Sequence, residues 1–119
     1  MDRKKLIREY KERPRPMGVF RVLNKVEQKS YVGSSVDAPA ALNRERFQLK
    51  AGLHANARLQ ADWKRLGAEA FEFEVLDSLE QKDGPPADPA AELLVLERLW
   101  LEKLSPYGDR GYNTEPVGG

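Results

Sequence analysis

A carboxylate set among leucines is the first chemical signal in the chain. Leu93, Leu96, Trp100, Leu101 and Leu104 fall at i, i+3, i+7, i+8 and i+11, the apolar stripe of an amphipathic helix, and Glu97 at i+4 lies inside it. A carboxylate in such surroundings costs roughly several kcal/mol unless something pairs with it. Two partners suit the position: an arginine such as Arg44 or Arg46, or a hard divalent cation. Such a cation keeps several waters and needs only one or two protein carboxylates. His54, the single histidine, stands in a turn after a helix. There, a surface residue or a local hydrogen-bond partner is the ordinary outcome. It gains chemical meaning if it faces the same site as Tyr31 and Glu97.

These side chains need a frame, and the chain is long enough to build one. Its 119 residues are 40% hydrophobic and 33% charged, which suits one domain with a modest core. There is no cysteine, so neither a disulfide framework nor a thiolate metal site is available. No apolar run approaches the roughly 18 residues that span a bilayer, and no secretory signal opens the chain. The expectations are no membrane partner and a cytoplasmic location. The net charge of +1 conceals an asymmetry. Residues 1–66 hold 16 Lys/Arg against 7 Asp/Glu, whereas residues 67–102 hold 2 against 10. A basic half suits a polyanion such as nucleic acid, although two solvated faces of opposite sign would read the same way. Arg21, Arg46, Lys50 and Arg58 are the cations expected to contact nucleic acid.

Residues 2–12 (DRKKLIREYKE) read as a short basic helix on Leu6, Ile7 and Tyr10, ended by Arg13-Pro14-Arg15-Pro16. Residues 18–26 and 29–34 form a hairpin, with Gly18 opening one strand and Gly33 closing the other. Asp37 caps a helix from about Ala38 to Lys50 that stops at Gly52, with Leu42 and Leu49 inward. A second helix, from about Ala55 to Leu66, buries Leu59, Trp63 and Leu66 and ends at Gly67. Residues 70–77 alternate, with Phe71, Phe73 and Val75 on one face and Glu72 and Glu74 on the other. A loop over 82–90 leads to the longest helix, from Asp88-Pro89 to about Leu104, and then to an irregular tail. The fold class is α+β: a small three-stranded, mainly antiparallel sheet flanked by helices, with an extra N-terminal helix. The expected organisation is a basic helix and linker over 1–16, a domain over 17–113 and a flexible tail over 114–119.

In this order the motifs resemble the GIY-YIG nuclease superfamily, in its homing-endonuclease-like branch. Gly18-Val19-Phe20 is similar to the first tripeptide and Tyr31-Val32-Gly33 to the second. Gly52-Leu53-His54-Ala55-Asn56 with Leu59-Gln60, the strand from Phe71 to Leu76, the helix Leu96–Leu101 and the closing Gly111-Tyr112-Asn113 complete six ordered matches. The resemblance implies a shallow site on an exposed sheet face for phosphodiester hydrolysis in DNA, with one divalent ion, Mg²⁺ or Mn²⁺. It places the metal on Glu97, where it would act as a Lewis acid. Tyr31 would position or deprotonate the attacking water, an arginine would neutralise phosphate charge, and Asn113 would orient the groups around them.

The chain departs from that pattern at three places. Phe20 stands where the family usually has tyrosine. The family arginine falls on Ala41, and a position often held by histidine is Glu45. Arg44, one helical turn beyond Ala41, is the nearest substitute, with Arg46 a weaker one. The expected catalytic set is therefore Tyr31, Arg44, His54, Glu97 and Asn113, belonging to a divalent-metal-dependent DNA endonuclease. The alternative is a catalytically impaired module of the same fold that binds DNA or a protein partner without cutting. The two differ on whether Arg44 points into the site between Tyr31 and Glu97. Oligomeric state, sequence specificity and pathway are open at this point.

Overall fold

The computed structural model describes residues 16–79 and 88–115. The expected N-terminal helix and most of the loop before the last helix lie outside the described residues. Three strands, β1 (Gly18–Asn24), β2 (Lys29–Ser35) and β3 (Phe71–Ser78), form one antiparallel sheet in the order β2-β1-β3. The central strand carries the most apolar sequence, because only β1 has a neighbour on both edges and cover on both faces. At the hairpin, the Asn24 carboxamide oxygen accepts from the backbone of Val26 at 3.1 Å and of Glu27 at 3.0 Å. Such a side-chain turn lets a chain reverse without a glycine, and Gln28 takes the left-handed conformation at φ 56°.

Helices α1 (Ala38–Ala51) and α2 (Ala57–Leu66) begin and end on local signals. Asp37 accepts from Ala40 N at 3.2 Å, and Pro39 sits in the first turn, where its missing N–H costs nothing. Gly52 at φ 74° ends α1: its own N–H returns to Leu49 O at 3.2 Å and Leu53 N to Gln48 O at 2.9 Å, so two carbonyls of the last turn are satisfied. Asn56 caps α2 by accepting from Leu59 N at 3.0 Å, which starts that helix at Ala57 rather than Ala55. Both helices cover the face of the sheet that shows Phe20, Val22 and Phe71. With Leu42, Leu49, Leu59, Trp63 and Tyr112 these residues form the core. Trp63 stacks near Phe71 (5.3 Å between ring centroids) and edge-on to Phe73 (6.1 Å).

Helix α3 (Pro89–Leu104) packs on the opposite face, against β1 and β2. Its expected stripe is the inward one: Leu93 is buried, and Leu96, Trp100, Leu101 and Leu104 are half-buried. The tail then returns along the outer edge of β2. Gly111 bridges Ser30 in parallel, Tyr112 N donates to Ser30 O at 2.9 Å, and the Asn113 carboxamide pairs with both backbone groups of Val32 (2.9 and 2.8 Å).

Two details differ from the sequence reading. Gly33 does not end its strand, which continues to Ser35. The glycine is required by close approach: a Cβ there would lie 2.6 Å from Phe20 Cζ, on the ring that covers it. The alternation of β3 holds only as far as Val75. Phe20 pairs with Val75 but Val19 pairs with Asp77, so Leu76 is the extra residue of a bulge, and the strand's two faces change places there.

Candidate active site

Because helices cover both faces, the candidate site follows the edge strand β2 rather than an open sheet face. Tyr31 projects toward α1 and α2, opposite Val22, and lines a shallow hollow with Ala55, Asn56, Tyr112, Asn113 and Thr114. Ser34 projects to the other side, where its hydroxyl donates to Glu97 Oε2 at 2.7 Å. Glu97 is half-buried and lines a neighbouring depression with Arg98, Leu101 and Tyr107. Among the described residues it forms no ion pair, so the arginine partner that its helical position allows is not what holds it. The two side chains approach β2 from opposite sides, and their coupling is electrostatic. Burial first, then the charges of Glu45 and Glu97, raise the Tyr31 phenol above its ordinary pKa of 10.0. A phenol so placed stays protonated at neutral pH.

His54 does face this site. Its ring stands edge-on to Tyr31 with centroids 5.5 Å apart. Nδ1 accepts from Asn56 N at 3.0 Å, so the proton is on Nε2, which donates to Glu45 Oε2. Gln60 fixes the turn, accepting from His54 N at 2.9 Å and donating to Leu49 O at 3.1 Å. Asn113 spends its carboxamide on Val32, next to Tyr31, and so holds the strand that carries the phenol.

The expected arginines separate. Ala41, where the resemblance looks for arginine, is buried in the core. Arg44 is exposed and bonds to nothing among the described residues. Arg46 lies over the Phe73 ring at 4.6 Å, toward β3 and away from the β2 edge. Arg21 pairs with Glu74 on the α3 side of the sheet, so Glu74 already balances its charge. Arg58 donates to Gly108 O at 2.8 Å, and Lys50 is exposed in the last turn of α1. Sequence reasoning missed Ser34, Gln60 and the Glu45–His54 pair. Ser34 had a signal, as a hydroxyl directly after the second tripeptide; the other two join residues across a helix end.

Among the described residues no group of three or more His, Cys, Asp or Glu side chains is placed to hold an ion. Glu97, a half-buried carboxylate in no ion pair among the described residues, fits a hard ion that takes one protein ligand and fills its shell with water and phosphate oxygens. No helix among the described residues is long and apolar enough to cross a membrane.

No family model matches the chain. It is 28% identical over 98 residues to intron-associated endonuclease 1 of Enterobacteria phage T4; the match takes in 81% of this chain and 36% of that protein, so it spans about a third of the relative's length. The solved catalytic domain of homing endonuclease I-TevI superposes with a TM-score of 0.69 at 26% identity, covering 84% of this chain and 99% of the domain. A mutant form of that domain superposes with a TM-score of 0.66 at 23% identity, over 87% and 99% of the two chains, and adds to the likeness of fold. With the six motifs in order on this three-stranded sheet, these likenesses support the resemblance to the GIY-YIG nuclease superfamily.

Proposed function

We propose that the chain is the catalytic domain of a divalent-metal-dependent DNA endonuclease that hydrolyses phosphodiester bonds. The observation that carries this reading is Glu97, held by the Ser34 hydroxyl on the edge of the strand that bears Tyr31, with no ion-pair partner among the described residues. The match over most of the chain to an endonuclease catalytic domain supports it. Mg²⁺ or Mn²⁺ on Glu97 would supply Lewis-acid stabilisation of charge on the phosphate. The chain's own groups supply position. Asn113 fixes β2, the Tyr31 phenol offers a hydrogen bond toward the water or the phosphate, and Arg44 has its guanidinium available for a phosphate oxygen. A shallow site of this kind predicts weak, salt-sensitive DNA binding.

The second reading, a fold relative that binds without cutting, draws on Ala41 and Arg44: the first is closed into the core, and the second reaches solvent. One experiment separates the two. Supercoiled plasmid is incubated at low salt with Mg²⁺, Mn²⁺ or EDTA, with wild type beside Glu97→Ala. The nuclease reading expects metal-dependent nicking that disappears in the variant. A gel shift without nicking in either metal would favour the non-cutting relative. Nicking that persists in Glu97→Ala would remove the metal from that helix.

A further inference from the structure

The Glu45–His54 pair is unexplained by the roles above, and its polarity is informative. In an acid–histidine couple that serves as a base, the carboxylate orients the ring and the far nitrogen does the chemistry. Here the far nitrogen, Nδ1, already accepts the Asn56 N–H at 3.0 Å, and the ring is buried. The histidine therefore has no free lone pair. Its one proton goes to Glu45 Oε2, which leaves Oε1 of the carboxylate without a partner among the described residues.

We propose that Glu45 is the proton acceptor for the attacking water, with His54 as the residue that positions it. This rests on the nuclease reading above. Glu45 lies on α1 with its side chain mostly sequestered, in the place that the resemblance reserves for a basic residue. His54 from the α1–α2 turn pairs with it, its charge acts on Tyr31 of β2 together with that of Glu97 from α3, and Arg44 and Arg46 flank it on α1. The raised phenol pKa argues in the same direction, because burial and the charges of Glu45 and Glu97 all favour the protonated, donating form of Tyr31. In the step, the water oxygen forms the new bond to phosphorus and its proton passes to Glu45. The bond from phosphorus to the leaving nucleoside oxygen breaks with its electron pair on that oxygen, which then takes a proton from solvent. A negative side chain near a phosphate is a cost for binding alone, but it is tolerable on the side from which water arrives.

The test uses the plasmid assay with wild type, Glu45→Gln, Tyr31→Phe and Glu97→Ala. Glutamine keeps an oxygen for His54 Nε2–H but accepts no proton at neutral pH. The expected result is a fall in kcat of about 10²-fold or more, within the range for loss of a general base. DNA affinity by gel shift should be unchanged, and the acid limb of the wild-type pH–rate profile should vanish. A Glu45→Gln rate within about threefold of wild type, with Tyr31→Phe inactive, overturns the assignment and makes the phenol the base. If Glu45→Gln loses the wild-type circular dichroism, Glu45→Asp carries the test. A fall of about tenfold or more with the acid limb retained supports the proposal, and an unchanged kcat overturns it. Metal-dependent nicking that is lost in Glu97→Ala yet kept in Glu45→Gln overturns this inference alone. A wild type that never nicks overturns the nuclease reading and this one with it.

Discussion

The two faces of the sheet are built to different standards. Toward α1 and α2, ten residues close a core around Leu59, which is 0% exposed, and its polar groups are paired. Asn24 donates to the Tyr112 hydroxyl at 3.0 Å, and that hydroxyl donates to Asp62 at 2.7 Å. Toward α3, the helix itself buries only Leu93, and Leu94, Val95 and Leu99 are 56, 60 and 57% exposed. The carboxylate of Glu97 sits on this looser side. Burial of apolar area stabilises a fold, whereas an ion site needs an open coordination sphere, and one helix face serves both poorly. The molecule separates the two, placing the closed core on one face and the Glu97 carboxylate, the proposed metal ligand, on the other.

The sharpest way to break this comparison is to truncate a leucine on each side. Leu59→Ala should cost about 2–5 kcal/mol, and Leu99→Ala should stay within about 0.5 kcal/mol, both read by urea unfolding. Equal losses would mean that the α3 side carries as much of the stability as the core. Next in size is the contact that joins the two signature tripeptides. Gly33→Ala drives a methyl into the Phe20 ring and should cost about 1–3 kcal/mol. Combined with Phe20→Leu, most of that loss should return in a double-mutant cycle, and strict additivity would show that the ring is not the obstacle.

The smallest effect sharpens the polar side of the core. Burial alone would raise the Asp62 carboxyl, but hydrogen bonds from Arg65 and Tyr112, with the charges of Lys29 and Arg65, outweigh it and hold the group below its ordinary 3.8. A depressed carboxyl contributes stability that is complete above the unfolded pKa and is lost as pH falls through the folded one. Thermal melts between pH 6 and 2 should therefore decline more steeply for wild type than for Asp62→Asn. Tyr112 has the opposite sense. Burial foremost, with the Asp62 partner, raises its phenol, so the contribution is complete below pH 10 and is lost above it.

What was legible in the sequence was what is decided locally. Asp37, Gly52 and Gly67 marked helix ends because a cap or a left-handed residue acts within one turn, and Leu93 to Leu104 showed their stripe because helical period is a near-neighbour property. The position of Glu97 inside that stripe was equally plain. The hidden features depend on partners far apart in the chain. The Leu76 bulge is a mismatch between two strands, so neither strand's pattern contains it. Tyr112 looked like one residue of an irregular tail, yet it fills the core and links Asn24 to Asp62. Glu45 read as an unfavourable charge until the ring of His54 was found against it.

The return of residues 111–113 beside β2 has a consequence for how molecules meet one another. A bare edge strand presents unpaired amides and carbonyls that a second copy can zip onto, which is a common start of aggregation. Here the chain acts as its own neighbour: one backbone amide and one carboxamide take up Ser30 and Val32. The closing Tyr112-Asn113 therefore also makes the strand that carries Tyr31 unavailable for pairing with another molecule.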